Sequence, residues 1–90
     1  MSELIQRLRE YWHNDTAVAR REWRNERGAV ALIESNGRYP SVVILCNGRL
    51  TIMPYLAWNK HQAMIDVVAI AALAGAEEVT DEPMEHVSGM

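Results

Sequence analysis

Leu4, Ile5, Leu8, Tyr11 and Trp12 fall at i, i+1, i+4, i+7 and i+8, the apolar stripe of an amphipathic helix. Ser2 is placed to cap its N-terminus, and Glu3 suits the positive end of the helix dipole. Asn14-Asp15 ends the pattern near His13.

The period then changes. Asn36-Gly37 and Asn47-Gly48 are two hairpin signals, since Gly accepts the positive φ of a type I′ turn and Asn tolerates it. They separate three apolar runs: Ala29 to Ser35, Arg38 to Cys46, and Arg49 to Met53. Two-residue turns would pair Ser35 with Arg38 and Cys46 with Arg49. One face then carries Val30, Val43 and Ile52 with Leu32, Leu45 and Leu50; the other carries Ala31, Val42 and Met53 with Ala29, Ile33, Ile44 and Cys46. Both faces are apolar, so each needs a cover.

Residues 16–27 support two readings. Ala, Arg and Glu favour a helix with Arg20, Arg24 and Arg27 along one face. The preferred reading is a fourth, edge strand, with Asn25-Glu26-Arg27-Gly28 as a three-residue hairpin loop and Gly28 in its left-handed slot. That register sets Trp23 beside Ala31 and Arg20 opposite Glu34.

Pro54 stops the last strand. Asn59 is placed to cap a second helix over Lys60 to Ala74, with Gln62 as capping-box partner and Gly75 as its stop. From Val67 to Ala74 that helix has no polar residue, and a helix apolar all round is expected to be buried all round.

The pattern predicts an α+β fold: an N-terminal helix, an antiparallel meander of three or four strands, and a C-terminal helix packed on the sheet. Both helices are expected on one sheet face. The other face, or the back of the last helix, then calls for a partner, most simply a second copy in a homodimer. Ninety residues suffice for one core, read as a single domain over residues 1–75 with a flexible acidic tail over 76–90.

Charge is unevenly distributed. The net charge is −3, yet residues 1–49 hold eight of the nine bases, all Arg, for a net +2, while residues 50–90 carry a net −5. Glu77, Glu78, Asp81, Glu82 and Glu85 form an acidic run, a solvated end or a peptide that docks on a basic surface. An acidic balance argues against wholesale attraction to nucleic acid or anionic membranes. No apolar stretch has the length or flanks of a secretory signal or membrane span, and the expectation is a soluble, cytoplasmic protein. A single cysteine excludes an internal disulfide and a thiolate-rich zinc site.

Motif chemistry is sparse. His13, His61 and His86 are scattered, and no phosphate-binding, dinucleotide-binding or nucleophile-elbow motif occurs. A Cys46–His61 dyad would need the two side chains in hydrogen-bond reach. No cofactor, metal site or catalytic residue is expected. The strongest polar feature is Arg20, Arg21, Arg24 and Arg27 around Trp23, suited to an acidic protein surface or to phosphates and bases. Tyr55 and Trp58, between sheet and last helix, are of the types that anchor interfaces. The function expected is a small non-catalytic protein-binding module using these seven residues. Its size and charge also suit a phage or mobile-element accessory protein that inhibits a host protein, as anti-CRISPR proteins do. The alternative is a dimeric nucleic-acid-binding regulator acting through Arg20–Arg27.

Overall fold

Ser2 Oγ accepts a hydrogen bond from Ile5 N at 3.1 Å and starts helix α1, Glu3–Trp12, in a computed structural model that describes residues 2–80. His13 ends α1 in the left-handed conformation (φ 53°). The chain continues as β1 (Val18–Asn25), β2 (Gly28–Glu34), β3 (Ser41–Cys46), β4 (Arg49–Pro54), a 3₁₀ turn (Ala57–Asn59), α2 (Lys60–Leu73) and β5 (Glu77–Glu78). The five strands form one antiparallel sheet in the order β4-β3-β2-β1-β5, giving the expected α+β fold.

The helices lie on opposite faces of the sheet, not on one. Leu4, Ile5 and Leu8 of α1 pack on Ala31, Ile33, Val43 and Leu45. Ala63, Val67 and Ala71 of α2 pack on Trp23, Val30, Leu32 and Val42. The fold itself thus covers both apolar faces. Two thin cores divide the work because each stripe is only wide enough to cover one face.

The second hairpin has the predicted register. Cys46 pairs with Arg49, and Asn47 and Gly48 take φ 52° and 82°, as a type I′ turn requires. Gly48→Val is expected to cost about 1 kcal/mol or more and lower the melting temperature by a few degrees, because a β-branched residue resists positive φ. An unchanged melt would contradict this turn.

The first hairpin differs from expectation. Ser35 and Arg38 do not pair; the last pair is Ile33 with Ser41. Asn36 lacks the positive φ of a type I′ turn, which only Gly37 (77°) adopts. Pro40 has no N–H for the ladder, so the strands part early and residues 35–40 leave the sheet as a loop. The register moves by one residue, and Ala31 rather than Val30 lies beside Val43. Such a slip exchanges the faces of β2.

Residues 18–25 form the strand, not the helix, but in another register. Asn25 pairs with Gly28 across a two-residue turn, and Asn25 Oδ1 accepts from Arg27 N (2.8 Å) and Gly28 N (3.0 Å). Gly28 is not left-handed; the irregularity lies between Ala19 and Arg21, where Arg20 is the extra residue. Trp23 therefore sits beside Val30 rather than Ala31. Nor is β1 wholly an edge: β5 pairs with it at Trp23 and Arg24.

Asn59 makes no side-chain cap to α2, because the 3₁₀ turn leads directly into the helix; Gln62 instead donates to Asp66 Oδ1 at 2.9 Å. At the far end, Ala76 N donates to Ala71 O and Gly75 N to Ala72 O, a Schellman stop. The acidic segment begins inside the sheet as β5, while residues 81–90, including His86, lie outside the described residues.

Candidate partner-binding site

The arginines that stood out in sequence do not form one patch. Arg21 makes a bidentate pair with Glu78 (2.8 Å at each nitrogen) and stacks over Trp23, 4.6 Å from the ring centroid. This pairing raises the Arg21 pKa and holds the Glu78 carboxyl below its ordinary value. It also ties β5 to the sheet. Arg20 pairs with Glu34 at 3.2 Å, the partner expected, although the bulge rather than a simple register brings them together. Arg24 pairs with the buried Glu22 at 3.0 Å, and Glu22 sits opposite Ala31 on the α1 side. Arg27 is exposed in the β1–β2 turn. Trp23 is buried beneath α2 as a core residue.

Tyr55 is likewise held internally. Its hydroxyl donates to Asp66 Oδ2 at 2.6 Å, and burial together with this bond pushes its pKa up to about 12. The bonds from Tyr55 and Gln62 lower the Asp66 pKa. Trp58, by contrast, is 78% exposed.

The Cys46–His61 dyad does not form. Cys46 lies with Ile70 and Ala74 near the C-terminal end of α2, whereas His61 is in its first turn. No group of three or more His, Cys, Asp or Glu among the described residues could hold a metal ion.

The structure gathers a different set of groups. Five of the six aromatic residues, all but Trp23, lie at the end of the sheet formed by the C-terminus of α1, the β2–β3 loop and the segment after β4. Several bonds hold that end together. Asn36 N donates to Thr16 Oγ1 (2.9 Å), Thr16 Oγ1 donates to Asn14 Oδ1 (2.6 Å), and Tyr55 N donates to Pro40 O (2.8 Å). Lys60 reaches Glu34 at 3.2 Å.

Released from the ladder by Pro40, the loop projects Arg38 and Tyr39 beyond the sheet. The Arg38 guanidinium stacks on Trp12, 4.3 Å from the ring centroid. Among the described residues no carboxylate lies within ion-pair distance of it. Tyr39 is 58% exposed. With Ile52 and Pro54 these residues line an open groove of about 660 Å³. Its floor borders β4, which has no further strand beside it among the described residues.

Arg38 and Tyr39 were absent from the sequence-based site. The available signal was Tyr39-Pro40: a proline inside an expected central strand marks the place where pairing fails.

Comparison of the chain with family models, curated proteins and solved structures finds no match. No helix among the described residues is long and apolar enough to cross a membrane.

Proposed function

We propose that the protein is a non-catalytic module that binds another protein through the groove at the loop end of the sheet. The observation that carries this reading is Arg38, held over the Trp12 ring with no carboxylate partner among the described residues. Arg, Trp and Tyr are enriched among the few residues that dominate the binding energy at interfaces. A guanidinium held on an indole keeps its donor edge oriented for a planar carboxylate. The groove therefore suits a segment with an acidic side chain for Arg38 and an apolar one for Tyr39, Ile52 and Pro54. The edge of β4 alongside, unpaired among the described residues, offers main-chain groups to an extended segment, as in strand addition. Trp58, exposed in the segment after β4, extends the contact surface, whereas Arg27 lies beside the β3–β4 turn at the opposite end of the sheet.

The finer reading is an accessory protein of phage or mobile-element type that inhibits a host protein in the cytoplasm, where the exposed Cys46 would stay reduced. It rests on size and charge. The nucleic-acid alternative has less support, since Arg20, Arg21 and Arg24 each have a carboxylate already.

Arg38→Glu is expected to weaken partner capture at least tenfold and lower the melting temperature by only a few degrees, because the exposed side chain gives up its stacking on Trp12, worth about 0.5–1 kcal/mol, and leaves the core in place. The assay is capture from nuclease-treated bacterial lysate with wild type and variant. Equal capture by both, or retention only of salt-sensitive nucleic acid before nuclease, would refute the reading.

A further inference from the structure

Glu34, at the end of β2, stands between two cations. Its carboxylate accepts from Arg20 Nε and from Lys60 Nζ, each at 3.2 Å. Two open recesses adjoin there beside the start of α2, of about 330 and 220 Å³, and Glu34, Pro40 and Lys60 border both. Arg20, His61, Leu32 and Met64 wall the larger; Ser35, Arg38 and Ala57 wall the smaller. Among the described residues Glu34 is the only carboxylate bordering either. Three cations, Arg20, Arg38 and Lys60, thus border a space with one carboxylate, an excess of two positive charges. The smaller recess also holds an unused group: Ser35 Oγ is buried and has no hydrogen-bond partner among the described residues. A buried hydroxyl left unbonded is costly, and a ligand oxygen beside it removes that cost.

We propose that the two recesses form one binding site for a small phosphate monoester. Charge selects the ligand. A phosphomonoester carries about −1.5 to −2 at neutral pH and matches the excess of two, whereas a single carboxylate leaves one cation uncompensated. The donors come from separate parts of the chain: Arg20 from the bulge of β1, Ser35 and Arg38 from the β2–β3 loop, and Lys60 from the first turn of α2. The bonds to Glu34 do not exhaust Arg20 and Lys60, since a guanidinium has several N–H groups and an ammonium three. Ser35 Oγ donates to a further phosphate oxygen, and the apolar body of the ester rests on Leu32 and Met64. The site shares only Arg38 with the groove on the Trp12 side, so phosphate binding and protein capture can fail separately.

Thermal melts and calorimetric titrations with phenyl phosphate, inorganic phosphate and benzoate test the proposal. Millimolar phenyl phosphate is expected to raise the melting temperature by a few degrees, inorganic phosphate by less, and benzoate not at all. Arg20→Gln and Lys60→Gln should each weaken phenyl phosphate binding about tenfold, whereas Arg49→Gln, at the β3–β4 turn, should leave it unchanged. Ser35→Ala gives an independent reading. Without ligand it should melt no lower than wild type, because the lost hydroxyl made no bond, yet it should gain less from phenyl phosphate. No rise with phenyl phosphate in the wild type overturns the proposal. So does an equal rise with benzoate or with inorganic phosphate, or a full rise in both Arg20→Gln and Lys60→Gln.

Discussion

Gly28→Ala is expected to be among the most destabilising single substitutions in this domain, at about 3–5 kcal/mol, above the ordinary range for overpacking. The reason is a close approach of strands, not backbone freedom. A Cβ at Gly28 would overlap the carbonyl oxygen of Leu45 and lie 2.7 Å from its carbonyl carbon and 3.2 Å from Cys46 Cα. All three are main-chain atoms of β3, so no side-chain rotation relieves the clash. The β2 backbone is also constrained from the other side, because Asn25 Oδ1 holds the N–H groups of Arg27 and Gly28. Moving Gly28 away would cost those bonds and the Gly28–Cys46 pair. At ~4–8 °C per kcal/mol for a domain of this size, the melting temperature should fall by about 15 °C or more. Gly37→Ala is the control: its φ is 77°, but nothing lies within 4 Å of the added Cβ, so only about 1–2 kcal/mol of local strain is expected. Thermal melts of the two variants, followed by circular dichroism, make the comparison. A Gly28→Ala protein that melts within a few degrees of wild type would mean that β2 and β3 do not approach as described.

The second large effect is at Ala71, where glutamate should prevent folding. Ala71 is 2% exposed and continues the ridge of Ala63 and Val67 that faces Trp23, Val30, Leu32 and Val42. A glutamate there brings excess volume and a carboxylate into an apolar layer. An unpaired charge in such a place costs about 3–5 kcal/mol, much of the stability of a small domain. The expected result is loss of cooperative unfolding, or insoluble protein. Val68→Glu, less than one helical turn away but 41% exposed, should fold normally. The contrast reports the rotation of α2 about its axis. A well-folded Ala71→Glu would require the opposite face of the helix to be the buried one. From sequence alone, Ala71 falls in the apolar back of the helix that a partner would cover; in the fold it faces inward, and Ile65 and Val68 face out.

The candidate site was only partly legible. Arginine content drew attention to residues 20–27, yet strand alternation, the bulge at Arg20 and the return of the chain as β5 supplied Arg20, Arg21 and Arg24 with carboxylates. The hairpin reading did set Arg20 opposite Glu34, but Glu78 is 57 residues from Arg21, and no local pattern announces that pairing. Conversely, Arg38 drew no attention because it was read as the first residue of a strand. It projects only because Pro40 ends the ladder early.

Whatever depends on neighbours along the chain is legible in the residues themselves. Ser2 and the Leu4–Leu8 stripe specify α1, Asn47-Gly48 specifies its hairpin and register, and Gly75 ends α2. Each is a local choice of φ, cap or period, made by residues within a few positions of one another. Which face of the sheet each helix covers, which face of α2 turns inward, and which arginines find a carboxylate are settled by long-range packing. Those outcomes depend on strand register and on partners far apart in sequence, and a one-residue slip at Pro40 was enough to exchange the faces of β2. Hydrophobic pattern identifies the surfaces that must be covered; it carries no record of which surface covers which, because apolar burial is non-directional.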